Sequence, residues 1–274
     1  MPRRRVGLGS RSGASSAWLP SRSPIHCKLL TVTGGVSVLA AVIASFAYAA
    51  RLEAQLESLR DPGLDGRPLA LWAHRGGPGA PPNSAQALDH ARAAGYSGVE
   101  LDVRWVEDRG LVCAHDPVQP GQAPPSLGDL LRRHGDAFVY WLDFKTLTAP
   151  VAERAGPRLD ALVRELRLSQ RCFVEAADAR ALARLREHAP GIRPLLRATP
   201  WRRLRPGPGY LALLGDLHRH RIGAVSWPAR DLDGGDAERL APLLLLTFTV
   251  DDPARIDALD ALGIEVALTD ELPP

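Results

Sequence analysis

From residue 67 onward, short apolar runs alternate with longer stretches whose apolar residues recur at helical spacing. The short runs occupy 69–74, 98–105, 110–115, 138–144, 172–176, 192–198, 222–227, 243–250 and 264–269. The intervening stretches are "SAQALDHARAAG", "SLGDLLRRHG", "VAERAGPRLDALVRELRL", "ADARALARLREHAP", "GYLALLGDLHRHR", "GDAERLAPL" and "DPARIDALDALG". In "LDALVRELRL" the apolar residues fall at i, i+3, i+4 and i+7, the spacing of an amphipathic helix. Strand–helix alternation predicts a parallel sheet with crossover helices. Runs 98–105 and 110–115 are too close together for a crossover. The "VEDRG" between them reads as a hairpin turn, so the pair counts as one position with an excursion. Eight positions remain, which predicts an α/β fold, a (β/α)8 TIM barrel over 67–274. A doubly wound open sheet is the alternative, but no Gly-rich dinucleotide loop follows any run.

The chain before the barrel has a different pattern. Residues 29–50 are 22 consecutive residues without a charge, and about 20 helical residues span a bilayer. Arg3, Arg4, Arg5, Arg11, Arg22 and Lys28 precede the run. This predicts a single transmembrane helix or signal anchor at 29–50, with the N-terminus cytoplasmic and the body on the non-cytoplasmic side. A cleaved secretory signal is the alternative, since "AYA" at 47–49 suits a small-residue cleavage site. Residues 1–28 read as a disordered basic tail and 51–66 as a polar linker.

Charge follows the same division. The whole chain is +3 and residues 1–50 are +6, which leaves −3 on the remainder. The body therefore has no basic excess for nucleic acid, and no such partner is expected. Cys27, Cys113 and Cys172 lack metal-type spacing. Cys113 and Cys172 lie in apolar runs and read as buried thiols.

In an eight-stranded barrel the polar residues at the C-terminal strand ends share one mouth. The first strand ends in His74-Arg75-Gly76-Gly77. The second carries Glu100-Leu101-Asp102, and its return strand ends in His115-Asp116. The third ends in Asp143-Phe144-Lys145, the fourth at Glu175 and the last at Thr269-Asp270. Side chains alternate along a strand, so Glu100 and Asp102 share a face, as do Asp143 and Lys145. Carboxylates crowded into one mouth need a neutralising cation. Glu100, Asp102 and Asp143 are hard oxygen donors suited to Ca²⁺ or Mg²⁺; pairing of each with an arginine is the competing arrangement. Lys28 and Lys145 are the only two lysines, so Lys145 at a strand end stands out as a point donor to phosphate. His74 and His115 are the acid–base candidates. His90, His134, His188, His218 and His220 fall in helical stretches and read as solvated, and His26 lies in the tail.

The ordered set "WAHRGG…PPNSAQAL…GVELDVRW…GLVCAHDP…PSLGDLL…WLDFK" resembles the glycerophosphodiester phosphodiesterases. Their pattern runs HRG, P-E-N-[ST], E-x-D-V, V-x-x-HD, P-[ST]-L-x-x-x-L and E-x-K. "FVEAAD", "LTFTVDDP" and "GIEVALTD" resemble that family's later strands. The resemblance implies a (β/α)8 barrel in which His74 and His115 are the general acid and base of phosphodiester cleavage. It further implies that Arg75 and Lys145 bind the phosphate, and that Glu100, Asp102 and Asp143 hold one divalent cation, Ca²⁺ or Mg²⁺.

Three positions and one segment depart from the family pattern. Pro82 replaces the Glu of P-E-N-[ST], Asp143 replaces the Glu of E-x-K, and Phe248 stands where Trp is common. Only residues 117–124 separate His115-Asp116 from "PSLGDLL", where the family has a longer insertion, so a more open site is expected. The expected activity is metal-dependent hydrolysis of a glycerophosphodiester, or of a lysophospholipid-type, lipid-derived phosphodiester, by a membrane-tethered enzyme. The alternatives are a degenerate barrel that binds a phosphorylated ligand, and a headgroup lyase that forms a cyclic phosphate.

Overall fold

The computed structural model describes residues 24–64, 68–198, 207–232 and 234–274, with side chains from residue 38 onward. Nine strands form one sheet: β1 (Ala70–Ala73), β2 (Gly98–Val106), β3 (Gly110–Cys113), β4 (Val139–Phe144), β5 (Cys172–Ala176), β6 (Arg193–Arg197), β7 (Ala224–Pro228), β8 (Leu244–Phe248) and β9 (Val266–Thr269). β1 pairs in parallel with both β9 and β2, so the sheet closes on itself. Only β3 runs antiparallel, paired with β2 from Val103↔Cys113 to Val106↔Gly110. The ring therefore holds eight parallel strands with one hairpin excursion, as the spacing of the apolar runs predicts.

Helices α2 (Ala85–Ala94), α3 (Leu127–His134), α4 (Ala149–Glu165), α5 (Ala179–His188), α6 (Pro208–His220), α7 (Gly234–Leu240) and α8 (Ile256–Ala261) follow the strands. Ser84, Ser126, Thr148 and Asp178 cap the first four of these, each side chain accepting an N–H from the first turn. Such caps set where each helix begins. His134, expected to be solvated, is buried in α3 and lies against Phe138 with ring centroids 5.9 Å apart. An i, i+4 pattern that reads Leu127, Leu130, Leu131, His134 puts the imidazole on the apolar face of the helix.

Strand alternation divides the core in two. Leu101, Val103, Leu142, Val174, Leu196 and Val225 face the helices. Trp72, Trp141, Phe173, Leu195, Ala224, Leu246 and Leu268 fill the barrel interior. Gly98 admits Trp72 to that interior, because a Cβ there would lie 2.3 Å from the indole. The next inward positions toward the C-terminal ends are polar on seven of the ring strands, His74, Glu100 and Asp102, Asp143, Glu175, Arg197, Ser226 and Asp270, and apolar on β8, where Phe248 stands. The apolar layer is thus the floor on which the site stands.

The barrel unit begins at Ser45. α1 runs Pro24–Glu53, and its last residues pack on the barrel through Ala49 and Leu52. Residues 51–64, expected as a polar linker, contribute to the core as well. Leu56 is buried, Tyr210 Oη donates to Glu53, and Arg193 pairs with Asp61. The segment reads as polar because its apolar residues are spaced singly, yet Leu52 and Leu56 lie one turn apart and face inward together. Among the described residues no helix is long and apolar enough to cross a membrane. Nine of the 22 residues expected to form a span, 29–37, lie outside those with described side chains, and the tail residues 1–23 lie outside the described residues. From Val38 to Tyr48 the apolar residues Val38, Leu39, Val42, Ile43, Phe46 and Tyr48 are exposed.

Candidate active site

After β1 the chain turns sharply through left-handed backbone at Arg75 (φ 52°), Gly76 (φ 88°) and Gly77 (φ 82°). Gly76 is required twice over. Its φ disfavours a side chain, and a Cβ would come within 2.7 Å of Ala87 Cβ in α2. The turn aims Arg75 inward. Its backbone N–H donates to Glu100 Oε2 at 2.9 Å, and its Nε lies 3.0 Å from Asp102 Oδ2.

His74 occupies the same turn, with its side chain only 17% exposed. Nδ1 lies 2.8 Å from Asp270 Oδ1, and Nε2 lies 3.8 Å from Glu100 Oε2. Asp270 is itself held: its backbone N–H donates to Asp251 Oδ1 at 2.7 Å, and Thr269 Oγ1 donates to the same oxygen at 2.9 Å. A carboxylate facing Nδ1 favours the tautomer with the proton there and leaves Nε2 toward the carboxylate cluster.

Glu100, Asp102 and Asp143 are all buried, and each offers an oxygen within 4.8 Å of the others. Asp102 accepts Asn83 Nδ2 at 2.8 Å and lies 2.7 Å from Lys145 Nζ. Lys145 also donates to Asp143, as does Arg197 Nη2. Arg197 grips Glu175 with Nε at 2.8 Å and Nη2 at 2.7 Å, while Trp141 Nε1 donates to Glu175 at 2.8 Å. Arginine pairing and a shared acidic centre, which the sequence left as alternatives, therefore coexist.

The charges of this cluster do not balance. Arg75, Lys145 and Arg197 serve Asp102, Asp143 and Glu175, while Glu100 receives one backbone N–H and, among the described residues, pairs with no lysine or arginine. Burial pushes the Glu100 carboxyl well above its ordinary range, and the neighbouring Asp102 and Asp143 charges push it further. Asp143 is raised by burial and by the Glu175 charge, against the pull of Arg197 and Lys145. Burial also opposes ionisation of Asp102, but hydrogen bonds from Lys145 and Asn83 hold it below the usual carboxylate range. A surplus buried carboxylate beside two others is a donor set that fits a hard divalent cation. Glu100, Asp102 and Asp143 would hold it.

His115 stands apart from this cluster. It is 47% exposed, with Nδ1 2.9 Å from Asp116 Oδ1. Its backbone carbonyl accepts Arg104 Nε at 3.1 Å, which fixes the end of the β3 excursion against β2. His115 and Asp116 line an open cleft of about 490 Å³ together with Arg75, Pro82 and Asn83. The 117–124 segment closes one side of that cleft with Val118, Gln122, Ala123 and Pro124.

Six of the seven expected residues thus converge through hydrogen bonds or ion pairs, and the seventh, His115, shares a cleft with Arg75. Sequence reasoning assigned no role to Asn83, although it lies inside the PPNS motif. Asn83 Oδ1 accepts the Asp102 N–H at 2.9 Å while its Nδ2 donates to the Asp102 carboxylate. Its φ of 59° suits Asn better than most residues. Replacing Asn83 with alanine is expected to leave the buried Asp102 N–H unpaired and to take one donor from its carboxylate, destabilising the fold by about 1–3 kcal/mol. A urea titration of the variant against the parent protein checks this. Asp270 was visible as a strand-end acid. Arg197 carried no signal, being one arginine among many.

The mouth of this parallel barrel thus joins histidine, arginine, lysine and three clustered carboxylates. Residues 74–130 match the family model of the glycerophosphoryl diester phosphodiesterase family. The matched segment carries His74, Arg75, Glu100, Asp102 and His115, so over that segment the chain is similar to a family of phosphoric diester hydrolases. The barrel is similar to a glycerophosphodiester phosphodiesterase of Parabacteroides distasonis at 18% identity and TM-score 0.61, covering 76% of this chain and 95% of that one. It is similar to a phosphodiesterase of Oleispira antarctica, solved with its product sn-glycerol-3-phosphate, at 16% identity and TM-score 0.61, covering 74% and 93%. A third, from Thermotoga maritima, is 18% identical with a TM-score of 0.57, covering 75% and 96%. Among curated proteins none matches the chain.

Proposed function

We propose that the protein hydrolyses a glycerophosphodiester to glycerol 3-phosphate and an alcohol. The observation that carries this reading is the meeting of His74, Arg75, Lys145 and the three carboxylates at the C-terminal mouth of the barrel. In this reading Arg75 and Lys145 bind the phosphate oxygens, and a guanidinium suits two of them at once. His74 and His115 share the proton work: one takes a proton from the attacking water, the other gives one to the departing alkoxide as the P–O bond breaks. A divalent cation, Ca²⁺ or Mg²⁺, bound by Glu100, Asp102 and Asp143 would supply Lewis-acid polarisation of the phosphoryl group.

We place the enzyme at a membrane through residues 29–50, with the barrel on the non-cytoplasmic side. The uncharged run, the six basic residues before it and the exposed apolar residues from Val38 to Tyr48 support that placement. The test is an assay of the full chain, recovered separately from membrane and soluble fractions, on glycerophosphocholine with Mg²⁺ or Ca²⁺. Glycerol 3-phosphate should appear, and EDTA should abolish its release. No turnover of any glycerophosphodiester ends the hydrolase reading. A cyclic phosphate product replaces it with internal hydroxyl attack, and recovery in the soluble fraction alone removes the anchor.

A further inference from the structure

The ring order puts β6 opposite β1, so β6 faces His74 and Arg75 across the mouth, and β7 and β8 continue that wall toward β9. While the Ser226 hydroxyl of β7 is turned to Glu175, the charged residue of this wall at the mouth is Arg197, at the end of β6. Next to it is Phe248, at the end of β8, whose ring lies 5.4 Å from the Arg197 guanidinium carbon. A phosphodiester held at Arg75 and Lys145 can extend one of its arms toward this wall.

We infer that Arg197 is a specificity-determining residue that recognises hydroxyl groups on the substrate arm facing β6 to β8. This rests on the proposed hydrolase reading and adds the chemistry of the arm. A guanidinium has five N–H donors in one plane. In Arg197, Nε donates to Glu175, and Nη2 donates to both Glu175 and Asp143. Among the described residues nothing accepts a hydrogen bond from Nη1. The side chain is 30% exposed, and Nη1 is the end of it that its carboxylate partners leave uncommitted.

The guanidinium plane is also fixed. Glu175 is buried and held from behind by Trp141 Nε1 and Ser226 Oγ, and the two-pronged grip of Arg197 on Glu175 leaves little freedom to turn. Two fixed donors beside an aromatic face suit a short polyol such as glycerol, with hydroxyl oxygens on Nη1 and carbon–hydrogen surface on Phe248. An acyl chain in the same place would displace water from Nη1 and offer no acceptor, which a site built for hydroxyls rejects.

The test compares glycerophosphocholine with n-propyl phosphocholine, which keeps the phosphocholine and lacks both glycerol hydroxyls. The wild-type enzyme is expected to favour the glycerol diester in kcat/KM by about tenfold to a hundredfold, the loss from leaving such donors unpaired. In Arg197→Lys the preference should collapse to within a few-fold. If Arg197 serves only to hold Asp143, both substrates fall by one common factor and the preference survives, which overturns the inference. Equal wild-type rates on the two diesters overturn it without any variant. Should neither be hydrolysed, the hydrolase reading fails. Calorimetry with glycerol 3-phosphate against n-propyl phosphate then decides the inference separately, a preference for glycerol 3-phosphate sustaining it and equal binding ending it.

Discussion

Replacing His74 by alanine is expected to lower kcat on glycerophosphocholine by about 10²–10⁴-fold, the range that general acid–base groups supply. Folding should be nearly unaffected. The imidazole lies at the rim of the mouth, and its partner Asp270 is half exposed and keeps its backbone hydrogen bond to Asp251. His115→Ala should cost a comparable factor, because both proton transfers are needed in one turnover. The double variant should cost little more than either single one, since groups that act as a unit are not additive. Asp270→Asn offers a finer probe. It removes the carboxylate that favours the Nδ1–H tautomer, so kcat should fall while KM holds. Steady-state kinetics on the four proteins, with thermal melts as the folding control, checks the set. Retention of activity within a few-fold in His74→Ala would remove the histidine from the chemistry and leave it a structural partner of Asp270.

The barrel was legible in the sequence for a simple reason. A parallel strand buried on both faces reads as an unbroken apolar run, and such runs at 69–74 through 264–269 predict all nine strands to within a few residues. The "VEDRG" turn even separates β3 from the ring. The polar mouth was legible because a charge at the end of an apolar run has few other places to go. Asn83 and Arg197 were not, because their meaning lies in contacts across the sequence. Asn83 serves Asp102, and Arg197 serves Glu175 and Asp143, and no local pattern marks which asparagine or arginine a buried carboxylate will need. The packing of residues 51–64 was hidden likewise. Leu56 and Asp61 look like ordinary residues of a polar segment until the ends of β6 and β7 are placed beside them.

The stability of the protein is expected to fall as pH rises through the titration of Glu100, and a divalent cation should reverse that fall. The folded state holds the Glu100 proton to a higher pH than the unfolded chain does, through burial and the neighbouring Asp102 and Asp143 charges. Between the ordinary carboxylate range and that raised value the folded state therefore binds more protons, and stability decreases with pH. Asp102 works in the other direction. Its stabilisation is present above the ordinary range and is lost only as pH falls through its lowered value. The two contributions are separated by Glu100→Gln, which keeps the shape and removes the titration. In EDTA the melting temperature of the wild type should drop relative to this variant as pH rises above the ordinary carboxylate range. Adding Ca²⁺ or Mg²⁺ at about a hundred times its dissociation constant should stabilise the wild type by about 2.7 kcal/mol. That corresponds to roughly 5–10 °C for a domain of this size. The gain should grow with pH, because ionised Glu100 is the ligand that gains most. Glu100→Gln should keep only the part of the pH-dependent fall that Asp143 contributes, show little of the cation's gain, and lose turnover. Melts across pH with and without the cation, read beside activity, make the three responses one measurement. A cation shift that is as large in Glu100→Gln as in the wild type would place the ion elsewhere on the protein.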